Sequence, residues 1–390
     1  MLNLKLSDKF GSLKPSGMAK IFQMVEAMDD VCNLSIGEPD FDTERDIIEA
    51  AMRDAKNGYT HYPPLSGYLD VREAVCNYWE RHHGLRYSPD EVHMAVGGIQ
   101  VLWLGLQILL DPGDEVICVE PCFGPYFAQV EWTGGKVIHL PTREENGFAP
   151  VPEEIESVIT PKTKAIILCS PSNPTGRVMK KEQMEKIAEV VEKHDLFVFS
   201  DEIYESLVYS GKFMSFASLP EMRKRTLVMS GLSKSHCMTG WRVGFALCSA
   251  EFARLLTLVS ANQTYGLSCV GQRAALHALN NHDAKIAERR EIFRERLEYV
   301  AGRLNNIKGI TCAKPEGAMY LFPNIKGTGK KSEEFVMTLL NDWKIATMPG
   351  NAFGSCGEGY IRIACTQSME TLVESMDRTE KAMRDLQCIP

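Results

Sequence analysis

The sequence predicts an α/β fold: a mostly parallel central sheet sandwiched by helices, with a smaller α+β unit beside it. Three observations carry that expectation. Short apolar runs recur through the middle of the chain, "VHMAV" (92–96), "EVICVE" (115–120), "AIILCS" (165–170), "LFVFS" (196–200) and "TLVMS" (226–230). A strand buried on one face alternates apolar and polar residues, so near-continuous runs of this length indicate strands covered on both faces, as in parallel sheets. Helix-period segments separate the runs, and near residue 284 the pattern changes to a long charged helix followed by further strands.

Taken in order, residues 1–45 hold a helix and the turn "SIGEPDFDT". "VHMAV" passes through Gly97-Gly98 into the helical "IQVLWLGLQILL", and Pro112-Gly113 turn the chain into "EVICVE". A Pro/Thr/Lys segment precedes "AIILCS"; the amphipathic "KEQMEKIAEVVEKH" leads to "LFVFS"; "TLVMS" ends at "GLSK". The segment "DAKIAERREIFRERLEYVAGRLNNI" reads as a helix with a solvated charged face, ahead of "AMYLFPNI" and "YIRIAC". These changes divide the chain into a large domain, 46–283, and a small domain built from 1–45 plus 284–390.

Composition excludes several classes. The 390 residues are 44% hydrophobic and 24% charged, which is ordinary for a globular protein with a sizeable core. A net charge of -8 without a cationic cluster argues against a nucleic acid or an anionic membrane as partner. The twelve cysteines are scattered with no C-x-x-C pair, so no metal framework is expected and reduced thiols are. The N-terminus "MLNLKLSDKFGSLKPSG" lacks a hydrophobic signal core, and the apolar run "VLWLGLQILL" falls far short of the roughly 20 residues that span a bilayer. The expectation is a cytoplasmic protein.

Open parallel sheets bind ligands at the carboxyl ends of their strands. After "VHMAV" come Gly97, Gly98 and a helix start; after "AIILCS" comes "PSNPTG" with Asn173; after "LFVFS" comes "DEIY" with Asp201 and Tyr204; after "TLVMS" comes Lys234. Each has a bland reading. Gly97-Gly98 is a common turn, Asn173 and Asp201 suit caps, Lys234 suits a snorkelling amine and Arg242 a surface ion pair. Together, four strand ends offer an anion-binding helix start, an amide, a carboxylate, a phenol and an amine, which describes a site.

The chemistry that wants this set is specific. An amine at the end of a buried strand, near a cation such as Arg242, has a lowered pKa, so it attacks carbonyls and carries protons near neutral pH. A carboxylate deep in the site keeps a heterocyclic nitrogen protonated. An imine-forming lysine, an acid for the pyridinium and a phosphate cradle are what pyridoxal phosphate asks of a protein.

Eight stretches in order, "IGEPDFDT", "YPPLSGYLDVREAV", "VGGIQVL", "DPGDEV", "SPSNPTG", "SDEIY", "SGLSKSHCMTGWRVG" and "YIRIA", cover nearly the whole chain. On these the sequence resembles a class I/II aminotransferase of fold type I, nearest the prokaryotic-type aspartate and aromatic aminotransferases. The resemblance implies pyridoxal 5'-phosphate as cofactor, amino acid and 2-oxo acid substrates, and a homodimer with shared sites. It implies that Lys234 carries the internal aldimine and serves as base and acid. Asp201 would bind the pyridine nitrogen, and Tyr204 and Asn173 the phenolic oxygen. Arg242, the backbone of Gly98, Ile99 and Gln100, and Ser233 would hold the phosphate, with Tyr62 reaching across the dimer interface. Phe123 would stack on the ring, and Arg362 and the backbone of Gly37 would receive the substrate α-carboxylate.

Two departures bear on specificity. Relatives that take aspartate can have a lysine after the two glycines of the phosphate loop, where this chain has Ile99, and a small hydroxyl residue where it has Met18. A neutral substrate, aromatic, aliphatic or sulfur-containing, is therefore expected. The same scaffold also supports C–S β-elimination and ring-forming γ-elimination. A non-catalytic ligand sensor is a weaker alternative, since such proteins usually carry an added DNA-binding domain for which 390 residues leave little space. The stretch "GTGKKS" is not a P-loop, because Asn324 and Lys331 occupy its first glycine and its hydroxyl positions.

Overall fold

The computed structural model describes Ser7, Phe10 and residues 17–387, so most of the N-terminal stretch examined for a signal core lies outside the described residues. In chain order its strands are β1 (Cys32–Asn33), β2 (Val92–Val96), β3 (Glu115–Glu120), β4 (Lys136–Pro141), β5 (Thr163–Cys169), β6 (Phe197–Asp201), β7 (Thr226–Gly231), β8 (Val243–Leu247), β9 (Tyr320–Leu321), β10 (Ile345–Ala346), β11 (Met348–Pro349) and β12 (Ile361–Ala364). The main sheet has the order β2-β8-β7-β6-β5-β3-β4. All its neighbours pair parallel except that β8 runs antiparallel to both β2 and β7. The expected mostly parallel sheet is present.

Period-two alternation explains why its strands read as continuous apolar runs. Val116, Cys118, Ile167, Phe199, Leu227 and Met229 face one core with the helices Gly97–Leu109, Pro125–Trp132 and Ala250–Ala261. Ile117, Ile166, Leu168 and Val198 face a second core with Pro152–Val158 and Lys181–Lys193. Val92, Met94, Val228 and Phe245 face a third core shared with Arg45–Lys56, Leu69–His83 and Cys269–Asn281. Each fully buried Ile, Leu or Phe contributes roughly 1.5–3 kcal/mol, so helical cover on both faces is what holds the sheet.

A separate core gathers Leu297, Val300, Ala301 and Leu304 of the helix Asp283–Asn305 with Phe335, Val336, Leu339 and Leu340 of Ser332–Trp343. Leu372, Met376 and Met383 of Met369–Gln387 join it, as does Leu34 beside β1. The helix Asp283–Asn305 departs from the expected solvated face, because one side of it is buried. Arg289 pairs with Glu44 at 2.9 Å, and Arg296 grips Asp40 with two hydrogen bonds of 2.6 and 2.9 Å. Bidentate, largely buried pairs of this kind are charge-assisted and directional, and they fasten the segment after β1 to the helix. No helix among the described residues is long and apolar enough to cross a membrane.

The helix Gly97–Leu109 lies directly on the sheet because Gly105 has no side chain. A Cβ there would fall 2.6 Å from Phe199 and 2.7 Å from Leu227. Gly105→Val is expected to destabilise the protein by about 1–3 kcal/mol through overpacking, read as a lower urea midpoint; an unchanged midpoint would contradict this packing.

Candidate active site

A cleft of about 670 Å³ lies along the sheet edge where β2, β5, β6 and β7 end. Because β8 runs the other way, its start lies at that same edge, which places Arg242, the residue before it, beside the strand ends. Arg242 adopts the left-handed conformation, φ 55°, at a cost of about 1 kcal/mol or more. Its guanidinium packs against the turn into Gly97–Leu109: a Cβ on Gly97, itself at φ +74°, would lie 2.7 Å from Nη2. A Cβ on Gly244 would lie 2.4 Å from the Gly97 carbonyl carbon. These positions have to be glycine, and the first N–H groups of the helix are left pointing out of its end.

Lys234 follows β7 directly. Its Nζ donates to the Gly37 carbonyl at 2.6 Å. Burial pushes its pKa down to about 8; Glu38 pulls it up, and the charges of Arg362 and Arg242 press it further down. Asp201 ends β6. Burial raises its pKa, opposed by a hydrogen bond from the Tyr126 hydroxyl to Oδ2 and one from the Ile203 N–H to Oδ1 at 3.2 Å. The Tyr126 phenol is raised well above its ordinary value by burial and by the Asp201 charge, so it stays a neutral donor.

On the opposite wall Arg362, 3% exposed, comes from β12. Nη1 donates to Asn173 Oδ1 at 3.2 Å and Nη2 to the Ser35 carbonyl, while buried Nε has no partner. Its guanidinium is held between the rings of Tyr320, 4.7 Å away, and Phe353, 4.9 Å away. The Tyr204 and Tyr320 hydroxyls meet at 2.7 Å. A Cβ at Gly37 would fall 1.9 Å from Tyr320 Oη, so that backbone and the ring share one space.

Of the residues expected in the site, Gly37, Gly98, Ile99, Phe123, Asn173, Asp201, Tyr204, Ser233, Lys234, Arg242 and Arg362 line this cleft. Two do not. The Gln100 side chain turns away to accept from Val96 N at 2.6 Å and donate to Gln263 at 2.7 Å, which leaves only its backbone near the helix start. Tyr62 is 82% exposed, with its ring 5.0 Å from Tyr265. Sequence reasoning missed Tyr126, Tyr320 and Glu38, which also line the cleft. Tyr126 lies three residues after Phe123 on the first turn of a helix, a spacing that offered a signal.

With this geometry in hand, the comparisons with known proteins are consistent among themselves. The family model for aminotransferase class I and II matches residues 29–378. The chain is 40% identical to an aspartate aminotransferase of Pyrococcus abyssi, covering 98% of this chain and 99% of that one. It is 39% identical to aromatic-amino-acid aminotransferase 2 of Thermococcus litoralis, with the same coverage. Among solved structures it resembles the aspartate aminotransferase of Thermus thermophilus with maleate, at a TM-score of 0.92 and 34% identity over 97% of this chain and 100% of that one. The chain belongs to the class I and II aminotransferases, and it is thus a pyridoxal-phosphate-dependent enzyme of fold type I.

Proposed function

We propose that this aminotransferase moves an amino group between a neutral L-amino acid and a 2-oxo acid, with Lys234 bonding the cofactor and carrying the proton. The observation that carries the reading is the buried Lys234 amine, held near neutrality at the ends of the strands opposite Asp201 and Arg362.

The residues fit pyridoxal phosphate. The notch between Arg242 and the start of Gly97–Leu109, which any side chain at Gly97 or Gly244 would fill, suits a phosphate bound by backbone N–H groups, with Ser233 adding a hydroxyl. Asp201 suits the ring nitrogen, Asn173 and Tyr204 the phenolic oxygen, and Phe123 the ring face. Bound there, the cofactor supplies a carbonyl carbon that takes up the amino group and a ring that accepts the electron pair left at the substrate Cα. Asp201 keeps a proton on the ring nitrogen, and Tyr126 holds the carboxylate in place for it. Lys234, with its pKa lowered to about 8, would take the substrate Cα proton and deliver it to the cofactor carbon on the far side of the shared nitrogen. Arg362 orients the α-carboxylate through its unpartnered Nε and its fork.

Substrate choice is supported by the cations of the cleft. Among the described residues lining it these are Lys234, Arg242 and Arg362, each already engaged by amine chemistry, phosphate or α-carboxylate. A second carboxylate would meet Met18, Phe22, Ile36 and Ile99, with Glu38 as a like charge nearby. Burying a carboxylate there without a partner is unfavourable, whereas an apolar side chain gains from the contact. The relatives named for aspartate and for aromatic amino acids stand at 40% and 39% identity, so overall similarity does not separate the two. The exposed Tyr62 ring supports a homodimer in which it serves the partner's phosphate. The core around Leu297, Phe335 and Leu372 supports a small domain from 1–45 plus 284–390 beside a large one, 46–283, with Tyr204 and Leu207 packing against Phe293 and Tyr320 across the boundary.

Four measurements test this reading. Amine labelling of the cofactor-free protein by acetic anhydride, read by mass spectrometry, should rise about tenfold per pH unit at Lys234 and level off above about pH 8. Lys234→Ala should lose turnover by about 10⁴-fold or more; retained turnover would remove Lys234 from its role. In a donor panel, kcat/KM for phenylalanine, leucine or methionine should exceed that for aspartate, and Ile99→Lys should raise aspartate by roughly tenfold, the effect of one charge-assisted hydrogen bond. Aspartate as the best donor of the parent enzyme would refute the neutral pocket. With a single amino acid, the aminated cofactor should accumulate; release of ammonia instead would favour the eliminating chemistry.

A further inference from the structure

We propose that Asp46, His277 and His282 form a binding site for one divalent ion of the zinc class, away from the catalytic cleft. Asp46 lies in the first turn of Arg45–Lys56, His277 in the last turns of Cys269–Asn281, and His282 is the residue that ends that helix. The three ligating atoms lie within 4.8 Å of one another. Asp46 Oδ2 is 3.0 Å from His277 Nε2 and 3.1 Å from His282 Nε2, while its Oδ1 accepts from the Ile47 N–H at 3.0 Å. A tetrahedral zinc ion with bonds near 2.0–2.1 Å separates its ligand atoms by about 3.3 Å. An ion therefore needs shifts of only a few tenths of an ångström on these edges.

His282 supplies an independent observation. It is 6% exposed, yet neither ring nitrogen has a hydrogen-bond partner. Its Nε2 is close to Asp46 Oδ2 but out of line for a hydrogen bond. In a coordination sphere a neighbouring ligand atom stands off the ring-nitrogen axis, as Asp46 does at His282, whereas His277 Nε2 would exchange its hydrogen bond to Asp46 Oδ2 for the ion. A buried imidazole without partners is otherwise unfavourable.

The donor set selects the ion. Two imidazoles and one carboxylate suit zinc and its neighbours, and they do not suit calcium or magnesium, which take oxygen ligands. The Asp46 carboxylate supplies the negative charge that favours a cation. The Asp46 side chain is 57% exposed and that of His277 28%, so the fourth position opens to water. Next to the cluster, the carboxylate of Asp283 is taken by Arg81 at 2.7 and 3.0 Å and by His82 at 3.0 Å, so it does not compete. Arg273 already joins the same two helices, through Asp54 at 2.6 Å. The ion adds a second tie at the other end of that seam, just after the segment whose Glu44 and Asp40 hold the helix Asp283–Asn305.

The test uses the untagged, cofactor-loaded enzyme, stripped with a chelator, desalted and titrated with zinc chloride. Bound zinc counted by elemental mass spectrometry should reach about one ion per chain, the stoichiometry of a single three-ligand site. Zinc should also raise Tm, since an ion that binds only the folded chain stabilises it. Asp46→Asn and His277→Gln should each lose both effects while keeping the turnover of the zinc-free parent. Both side chains are partly exposed, so neither substitution opens a core cavity. Cobalt(II) gives a second readout: the visible bands of a four-coordinate ion in the parent, absent from both variants. No uptake by the parent, or uptake retained in either variant, as zinc on thiols would be, overturns the site.

Discussion

The structure turns on one amine kept out of water without a carboxylate in contact. Lys234 stands at the end of β7, and the group it touches is the carbonyl of Gly37 at 2.6 Å, which belongs to the segment that follows β1. Burial disfavours the ammonium and the charges of Arg362 and Arg242 press against it, while Glu38 and Asp201 pull the other way, and the pKa is lowered to about 8. The surrounding features keep that contact in place. Tyr320 occupies the space a side chain at Gly37 would need, Arg362 binds the neighbouring Ser35 carbonyl, and Arg296 and Arg289 fix Asp40 and Glu44 just downstream. The buried ion pairs of the long helix thus position a backbone carbonyl on which the lysine depends.

The parts of this arrangement that were legible in the sequence are those carried by short-range pattern. Runs such as "EVICVE" and "VHMAV" coincide with β3 and β2 residue for residue, because doubly covered strands are mostly apolar on both faces. The residues at their ends could be read because a strand end is fixed once the strand is. Lys136–Pro141 was not read as a strand, since β4 is an edge strand with exposed residues at both ends and its centre, which dilutes the apolar run. Only the first two residues of Val243–Leu247 fall in the motif "SGLSKSHCMTGWRVG", and the reversal of this strand is invisible in sequence because direction depends on pairing partners far away in the chain. That reversal is what brings Arg242 to the site.

"SDEIY" shows the same limit on a smaller scale. Two adjacent acids end β6, and composition does not distinguish them. Alternation does, once the faces are known. Asp201 faces the cleft, while Glu202 turns into the protein to accept from Ser200 at 2.7 Å, Ser215 at 2.9 Å and the Phe216 N–H at 3.0 Å. Burial lifts the Glu202 carboxyl to about 7, and the three donors pull it down. One acid holds the strand end and the other serves the site. Tyr126 and Tyr320 were missed for a related reason: a buried tyrosine looks like core until the partner of its hydroxyl is known, and those partners are Asp201 and Tyr204.

Arg362 shows why recognition and selectivity separate in this cleft. Its guanidinium is clamped between two aromatic rings and tied at both ends, which leaves no rotamer freedom to lose when an anion arrives. Burial lowers its pKa, so the free protein holds a cation whose charge is under-compensated, with Nε lacking an acceptor. Under the proposed function an α-carboxylate would relieve that deficit, and since every α-amino acid has one, the gain would be common to all substrates. Discrimination has to come from the side-chain end, where Met18, Phe22, Ile36 and Ile99 offer surface without a hydrogen-bonding partner. A hydrophobic wall separates neighbouring apolar substrates weakly, by about 1–3 kcal/mol per methylene, whereas it rejects a buried charge far more strongly. Under the proposed function, such a wall favours a broad set of neutral substrates over narrow choice of one.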